Sequence, residues 1–303
     1  MSATHNPAPT VMATAVAAFP NIAEVQVKLA EAGYIADPHI AGVVSLAAQL
    51  GKPLLAEGPA GTGKTELAKA IARSLNARLI RLQCYEGLDE SRALYEWDYR
   101  KQLLRIQAVR QEEAGDWNAI EDDIFGEEYL LHRPLLEAIQ AEDDVVLLID
   151  EVDRLDIETE ALLLEILSDF QVSIPELGTV HARQHPLVVL TSNNSRDLSE
   201  ALKRRCLFMH VGYPTVDRER EIILTAVPGI TENLAEQIAR IVRTLRDLNL
   251  KKSPSVSETI DWARVLVLQG KTDVTTDTVI EHLSVLLKHQ SDIEKATEEL
   301  TGA

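Results

Sequence analysis

The segment that most constrains the fold of this chain is the run GPAGTGKT at residues 58–65. It fits the pattern G-x-x-x-x-G-K-S/T at every fixed position. A short apolar run precedes it at 53–56, and apolar residues after it recur at three- and four-residue steps, as on one face of a helix. Glycines allow the positive φ angles and close backbone approach that a loop wrapping a phosphate requires. The sequence therefore predicts a phosphate-binding loop between a strand and a helix.

We expect this loop to bind the phosphates of ATP together with Mg²⁺. In this pattern Lys64 reaches the β- and γ-phosphates, and the hydroxyl of Thr65 binds the metal ion. The candidate nucleotide contacts are the eight loop residues and three others: Gly58, Pro59, Ala60, Gly61, Thr62, Gly63, Lys64, Thr65, Glu66, Tyr34 and Ile35.

A second run, VVLLIDE at residues 145–151, is an apolar strand that ends in two acids. Continuous apolar runs are typical of strands buried on both faces of a parallel sheet. Ligands of open α/β sheets bind at the carboxyl ends of the strands, so Asp150 is predicted beside the phosphate loop as a Mg²⁺ ligand. Glu151 is then placed to act as the general base on the attacking water. This residue predicts hydrolysis rather than phosphate transfer to another acceptor.

Strand-like apolar runs alternate with helical patterns up to residue 213, and only helical patterns follow. Further strands are predicted at 79–82, 187–190 and 207–211, and late helices at 218–226, 232–249, 256–268 and 275–287. The pattern predicts an α/β fold, a P-loop NTPase parallel sheet with flanking helices, followed by a smaller all-helical lid domain. The expected boundaries are a flexible tail at 1–20, an α/β domain at 21–213 and a lid at 214–303.

Charge and composition exclude several classes of function. The chain has 48 acidic and 30 basic residues, which gives a formal net charge of −18. Such a charge repels nucleic acid, so we expect no nucleic-acid client. No apolar stretch has the length of a membrane span, and the N-terminus lacks the pattern of a signal peptide. Cys84 and Cys206 are far apart, as in proteins of a reducing compartment, and we expect a cytoplasmic protein without stable membrane insertion.

Together these features resemble the AAA+ superfamily, and within it the MoxR branch. Five strings are similar to the CoxD-type group of that branch: LIRLQCYEGLDESRALYEWDYRKQLLRIQ at 79–107, LLHRPLLEAI at 130–139, LLIDEVDR at 147–154, LSDFQVSIPELGTV at 167–180 and TSNNSRDLSEALKRRCLF at 191–208. CoxD-type proteins are accessory ATPases that mature the molybdenum–copper site of aerobic carbon monoxide dehydrogenase. The resemblance covers residues 33–268.

The resemblance assigns roles to polar residues that follow the strand at 187–190. AAA+ proteins carry a sensor 1 residue there that orients the attacking water, and Asn193 is preferred to Asn194 for this role. Arg204 and Arg205 occupy the place of the arginine finger, which reaches the γ-phosphate bound by a neighbouring subunit. The planar guanidinium suits this task, and Arg205 is preferred with Arg204 as the other candidate.

The resemblance also predicts two insertions. One is the helix-2 insertion near 84–100, which faces the central pore in MoxR-type proteins, and the other is a hairpin near 171–180 before sensor 1. Four aromatic residues fall in the first insertion: Tyr85, Tyr95, Trp97 and Tyr99. They suit a loop that grips a client, and they suit a locally packed hairpin equally well. The acidic stretch 112–128 is expected to be an exposed, solvated insertion.

The lid departs from the family pattern at one position. MoxR relatives carry the sensor 2 arginine in a Ser-Pro-Arg-like string, whereas here the string is Ser253-Pro254-Ser255. Arg264, two turns further on, is the candidate substitute.

The partners implied by the resemblance are other copies of this chain in a homo-hexameric ring, a separate von Willebrand factor A domain protein, and a molybdenum hydroxylase client such as carbon monoxide dehydrogenase. The closest alternative is a general MoxR-type chaperone that activates a different enzyme. A nucleic-acid motor is a weaker alternative because the charge balance offers no basic face. A small-molecule kinase would lack the Asp-Glu pair and the helical lid.

Overall fold

The computed structural model describes residues 11–111, 124–175 and 177–302. The strands in these ranges are β1 Leu54–Glu57, β2 Arg78–Gln83, β3 Tyr95–Trp97, β4 Leu130–His132, β5 Val145–Asp150, β6 Gln171–Ile174, β7 Gly178–His181, β8 Leu187–Ser192 and β9 Leu207–His210. The helices are α1 Val11–Ala18, α2 Ile22–Glu31, α3 Pro38–Leu50, α4 Lys64–Leu75, α5 Glu90–Ala93, α6 Tyr99–Gln111, α7 Pro134–Gln140, α8 Ile157–Asp169, α9 Glu200–Arg205, α10 Val216–Ala226, α11 Glu232–Asp247, α12 Val256–Leu268, α13 Thr276–Leu286 and α14 Gln290–Thr301.

The main sheet of the described residues has five parallel strands in the order β2-β5-β8-β1-β9. Each of the predicted apolar runs forms one of these strands, and the predicted α/β class with a following helical region is confirmed. Strands β5 and β8 lie inside the sheet and are buried along their whole length, which explains their uninterrupted apolar sequences.

Successive side chains of β5 enter two different cores, one on each face of the sheet. Val145, Leu147 and Ile149 pack with α7 and α8, whereas Val146 and Leu148 pack with α2, α3 and α4. This alternation follows from the two-residue period of a strand. Helix α4, which begins at the phosphate loop, therefore packs on the face of the sheet to which the even-numbered residues of β5 belong.

The helices after residue 215 have a separate core. Trp262 is fully buried at its centre, among apolar residues of α10, α11, α12, α13 and α14. Hydrogen bonds tie this helical region to the phosphate loop and the N-terminal part, including one from Arg218 to the Asp37 carboxylate at 2.6 Å. The Val256 amide donates to the carbonyl of Gly61 at 3.0 Å, and the Arg218 guanidinium donates to the carbonyl of Ile35 at 2.9 Å.

The prediction of a flexible tail over residues 1–20 is wrong for its second half. Residues Val11–Ala18 form α1, and Ala15 and Phe19 are buried against the core on the α4 side of the sheet. The hydroxyl of Ser45 donates to the Phe19 carbonyl at 2.8 Å. Packing stabilises a short helix whose own sequence gives little signal. Residues 1–10 lie outside the described ranges.

Strand β3, in the first predicted insertion, pairs antiparallel with β4 outside it, and the second predicted insertion is the antiparallel pair β6 and β7. In the first, Trp97 is buried and meets Tyr95 and Phe125 edge to face, with centroids 6.4 and 5.3 Å away. Tyr85 and Tyr99 are exposed. The aromatic group is thus partly a local core and partly a surface. Most of the acidic stretch, residues 112–123, falls outside the described ranges.

Within the described ranges, no helix combines the length and the apolar character that crossing a membrane requires.

Candidate nucleotide site

The phosphate loop connects β1 to α4 and depends on glycine at two crowded positions. Gly58 has φ +156°, and a Cβ there would lie 2.2 Å from the carbonyl oxygen of Val211. Gly61 has φ +74°, and a Cβ would lie 2.3 Å from the Cβ of Ser255. Neither position accepts a larger residue without movement of the backbone just after β9 or of the helical region. The open loop that results leaves backbone amides available to an anion.

Lys64 begins helix α4 and is buried in the loop. Its ammonium donates to the carbonyls of Gly58 and Pro59, both at 2.7 Å. Burial lowers the pKa of Lys64, although the carboxylates of Asp153 and Asp150 act in the opposite direction. The residue before it, Gly63, provides no capping side chain, so amides of the first helical turn face the loop.

Asp150, at the end of β5, is hydrogen-bonded to side chains of β2, β8 and the first turn of α4. Its Oδ1 accepts from the hydroxyl of Thr65 at 2.9 Å and from that of Thr191 at 2.5 Å. Its Oδ2 accepts from the Arg81 Nε at 3.0 Å and Nη2 at 2.5 Å. Sheet geometry explains the cluster, because side chains along a strand alternate between the two faces of the sheet. Arg81, Asp150 and Thr191 each lie two residues after a residue of the core on the α4 side, so all three are on that face.

Glu151 follows directly in a left-handed conformation, with φ +58°. Its amide donates to the hydroxyl of Thr191 at 2.9 Å, so one threonine fixes both acids of the pair. The side chain is part-exposed, and its Oε2 lies 3.4 Å from the Nε of Arg154. A positive φ at a non-glycine residue is uncommon, and here it falls at the residue that directly follows β5.

Asn193 sits in a loop that Asp153 holds in place. The buried carboxylate of Asp153 accepts from the amides of Asn193 at 3.2 Å and Ser195 at 2.9 Å, and from the Ser195 hydroxyl at 2.6 Å. Burial works to raise the pKa of Asp153, but these hydrogen bonds outweigh it and hold the pKa below its usual value.

Two adjoining cavities meet at the loop. The first, of about 230 Å³, is lined by Lys64, Thr65, Asp150, Glu151, Asn193 and Ser257. The second, of about 410 Å³, is lined by Tyr34, Ile35, Glu66, Arg218, Ile260 and Arg264. The structure therefore brings most of the predicted residues to one place, the acids and Asn193 to the first cavity and Tyr34 and Ile35 to the second. Burial raises the pKa of Tyr34 to about 12.

The residues of the first cavity fit phosphate and Mg²⁺. Lys64 and the loop amides supply positive charge and N–H donors for an anion. Thr65 and Asp150 supply a hydroxyl and a carboxylate, 2.9 Å apart, which are the oxygen ligands that Mg²⁺ prefers. The second cavity combines apolar walls from Ile35 and Ile260 with a few polar groups, as nucleoside pockets do.

The two finger candidates at the end of α9 line neither cavity. Arg205 is held within its own chain, because its Nη1 donates to the Ala201 carbonyl at 2.9 Å and its Nε to the Ser168 hydroxyl. Arg204 is exposed.

The helical region contributes a serine where the sequence lacks the expected arginine. Ser255 caps α12 in a capping box with Glu258. Ser257, two residues on, lines both cavities. Arg264 lines the second cavity and pairs with Asp261 at 3.2 Å, so it does not reach the first.

Residues at the site that sequence reasoning missed include Arg81, Asp153, Thr191, Arg218 and Ser257. Thr191 was detectable, because it directly follows the apolar run 187–190 of β8, the strand next to β5. Arg81 and Arg218 contact groups far away in the sequence, and no local pattern marks such pairs.

A model of the ATPase family associated with various cellular activities (AAA) matches residues 54–213, more than half of the chain. An uncharacterized protein of Staphylococcus haemolyticus is 24% identical over 225 residues, which cover 72% of this chain and 76% of that protein. Chaperone protein ClpB 2 of Parasynechococcus marenigrum is 32% identical over 146 residues, which cover 45% of this chain and 13% of ClpB 2.

Among solved structures, a Thermotoga maritima RuvB mutant aligns with 88% of this chain and 70% of its own, with a TM-score of 0.49 and 21% identity. The RuvB Holliday junction branch migration motor of the same organism aligns with 87% and 69%, with a TM-score of 0.44 and 22% identity.

Proposed function

Because the chain belongs to the AAA family of ATPases, we propose that it is a chaperone-like ring ATPase that remodels a client enzyme. As a family member it uses ATP and Mg²⁺ and hydrolyses ATP. The observation that carries the proposal is the first cavity, where the loop lysine, both acids of the strand end and Ser257 of the helical region line one space. Such a site links hydrolysis to the position of the helices after residue 215.

Within this cavity we assign roles to the residues of the chain. Lys64 binds the β- and γ-phosphates, and Thr65 and Asp150 hold Mg²⁺, which neutralises phosphate charge when bound. Glu151 takes a proton from the attacking water, and Asn193 orients that water. Tyr34, Ile35 and Glu66 bind the nucleoside side of ATP, because all three line the second cavity.

AAA proteins typically assemble into rings, and we propose a homo-hexamer in which an arginine of one subunit completes the site of the next. The structure changes the preference between the two candidates. Arg205 is engaged by Ser168 and Ala201 of its own chain, whereas Arg204 is exposed. Arg204 is therefore the better placed of the two to cross an interface.

Single and mixed variants test this assignment. Arg204→Ala should lower turnover by about 10³–10⁵-fold, as loss of a finger does in GTPases, without weakening ATP binding. Arg205→Ala is the matched control and should lose less than about tenfold. Mixing Arg204→Ala with Lys64→Ala subunits should restore turnover, because the second supplies a finger to the intact site of the first. Absence of any rescue in mixed rings would place the arginine in cis.

For the client, we propose a molybdenum hydroxylase such as carbon monoxide dehydrogenase, recruited by a separate von Willebrand factor A domain protein. This proposal rests on the strings similar to CoxD-type proteins, above all the one at 79–107, which contains Arg81 and the first insertion. The exposed Tyr85 and Tyr99 of that insertion are the residues we propose to touch the client. The similarity to a chaperone protein over 146 residues agrees with a remodelling function.

An ATP-locked variant tests the client. Glu151→Gln should bind ATP but hydrolyse it about 10²–10⁴-fold more slowly, because the water loses its base. Purified with ATP from cells expressing the surrounding genes, it should retain a von Willebrand factor A protein and a molybdenum hydroxylase, identified by mass spectrometry. The double variant Lys64→Ala/Glu151→Gln is the control and should retain neither. Recovery of a different enzyme would favour the general MoxR-type chaperone instead.

A further inference from the structure

Arg81 binds the carboxylate that we assign to the metal, although nothing in its local sequence marks it. Two of its N–H groups donate to Oδ2 of Asp150, at 3.0 and 2.5 Å. The same guanidinium also donates to the side-chain carbonyl of Gln83, its neighbour on the same face of β2. Gln83 stands opposite Asp150 in the strand register, so the guanidinium is held directly over the end of β5.

The hydrogen bonds of Asp150 leave no room for a further partner. A carboxylate offers about four lone-pair positions, and Asp150 accepts four hydrogen bonds, two at each oxygen. A metal ion, or a water bound to it, can reach this carboxylate only if one donor gives way.

The three donor residues differ in how readily they can leave. Thr191 is buried and also accepts the amide of Glu151, so its departure would disturb both acids. Thr65 is itself an expected metal ligand. Arg81 has a side chain that is 47% exposed and stands on β2, an edge strand of the main sheet. Its guanidinium can turn into solvent without disturbing the core.

We propose that Arg81 is a positioning residue that occupies Asp150 in the metal-free protein and is displaced when Mg²⁺ binds. By neutralising the buried carboxylate it keeps the end of β5 ordered, and by competing with the metal it weakens the dependence of nucleotide binding on Mg²⁺. The proposal rests on the metal-binding role of Asp150 given above.

The test is the magnesium ratio, the Kd for ADP in EDTA divided by the Kd in saturating Mg²⁺, measured by calorimetry. In Arg81→Gln the ratio should rise at least tenfold, because Mg²⁺ no longer competes with a cation and Mg²⁺-free ADP meets an unneutralised carboxylate. Arg81→Lys keeps the charge and should stay within about threefold of the unchanged protein. This variant also covers the case in which Arg81→Gln folds poorly.

Two controls separate the possible failures. Arg78→Gln changes an arginine of the same strand that pairs with Glu137 and Asp143 outside the site, and should leave the ratio unchanged. Asp150→Asn should collapse the ratio toward one; an unchanged ratio there would mean that the metal assignment itself is wrong. If Asp150→Asn collapses the ratio but Arg81→Gln leaves it unchanged or lowers it, the inference about Arg81 is overturned. An equal rise in Arg81→Lys would overturn it too, because charge would not be the cause.

Discussion

Two of the ion pairs between a buried carboxylate and an arginine differ in how exposed the arginine is. The side chain of Asp150 is 3% exposed, but its partner Arg81 is 47% exposed. In the helical region, Glu219 is 1% exposed and its partner Arg246 is 4% exposed. The first pair stands at the rim of a cavity, whereas the second is sealed inside a core.

The sealed pair has further partners that leave it no alternative arrangement. Arg246 donates to both oxygens of Glu219 at 2.6 and 2.7 Å, to the carbonyl of Pro254 at 2.8 Å, and lies over the ring of Tyr213 at 4.4 Å. The hydroxyl of Thr259 adds a bond to Glu219 at 3.0 Å. The comparison teaches that the chemistry of an ion pair does not decide its function. The exposure of the arginine decides whether the contact is permanent or exchangeable.

Removing the arginine of the sealed pair should change the stability of the fold more than any other substitution considered below. Arg246→Ala leaves Glu219 buried without its partner and should lower the free energy of unfolding by about 3–5 kcal/mol. Urea denaturation measures this loss. Arg240→Ala, in the same helix, removes an exposed pair with Glu236 and should cost under about 1 kcal/mol. A loss no greater in Arg246→Ala than in Arg240→Ala would show that the Glu219 pair is as replaceable as a surface pair.

The next prediction compares the two threonines that donate to these carboxylates. Thr191→Val and Thr259→Val each remove a buried hydroxyl, and each should cost about 1–3 kcal/mol in unfolding free energy. Only Thr191→Val should also lower ATP turnover, by about tenfold or more, because its hydroxyl holds both Asp150 and the amide of Glu151. Phosphate release per folded molecule measures the difference. Equal turnover in the two variants would contradict the special position of Thr191.

The smallest effect concerns Asp153 and pH. The folded protein holds the pKa of Asp153 below its usual value, so the ionised carboxylate stabilises the fold above the unfolded pKa, near 3.9. This contribution is lost as the pH falls through the folded pKa. The stability advantage of the unchanged protein over Asp153→Asn should therefore be full at neutral pH and shrink below about pH 4. Chemical denaturation at several pH values tests this prediction. A stability advantage that grows as the pH falls would contradict it.

The sequence predicted the parts of the site that are local in the chain. The loop at 58–65 and the acids at 150 and 151 each follow a strand with a strong apolar pattern, and parallel strands bring their carboxyl ends to one edge. The partners of these residues were not predictable in the same way. Arg81 lies 69 residues from Asp150, and its role depends on strand order and register.

Helix α1 and the two finger candidates show two other limits of sequence reasoning. An Ala- and Thr-rich segment carries no clear periodicity, and α1 exists because Ala15 and Phe19 pack against the core. Arg204 and Arg205 are chemically identical in the sequence. Only their contacts distinguish them, because one hydrogen-bonds within its own chain and the other is exposed.

The order of strands in the main sheet has a consequence for how the protein folds during its synthesis on the ribosome. Strand β1, which leads into the phosphate loop, pairs with β8 and β9, and these begin at residues 187 and 207. At a synthesis rate of 5–20 residues per second, β1 waits roughly 7–30 s for its neighbours. Throughout that interval the nascent chain carries an unpaired apolar strand. Nucleotide can stabilise the chain only after β8 has been made, since Thr65, Asp150 and Thr191 meet only then.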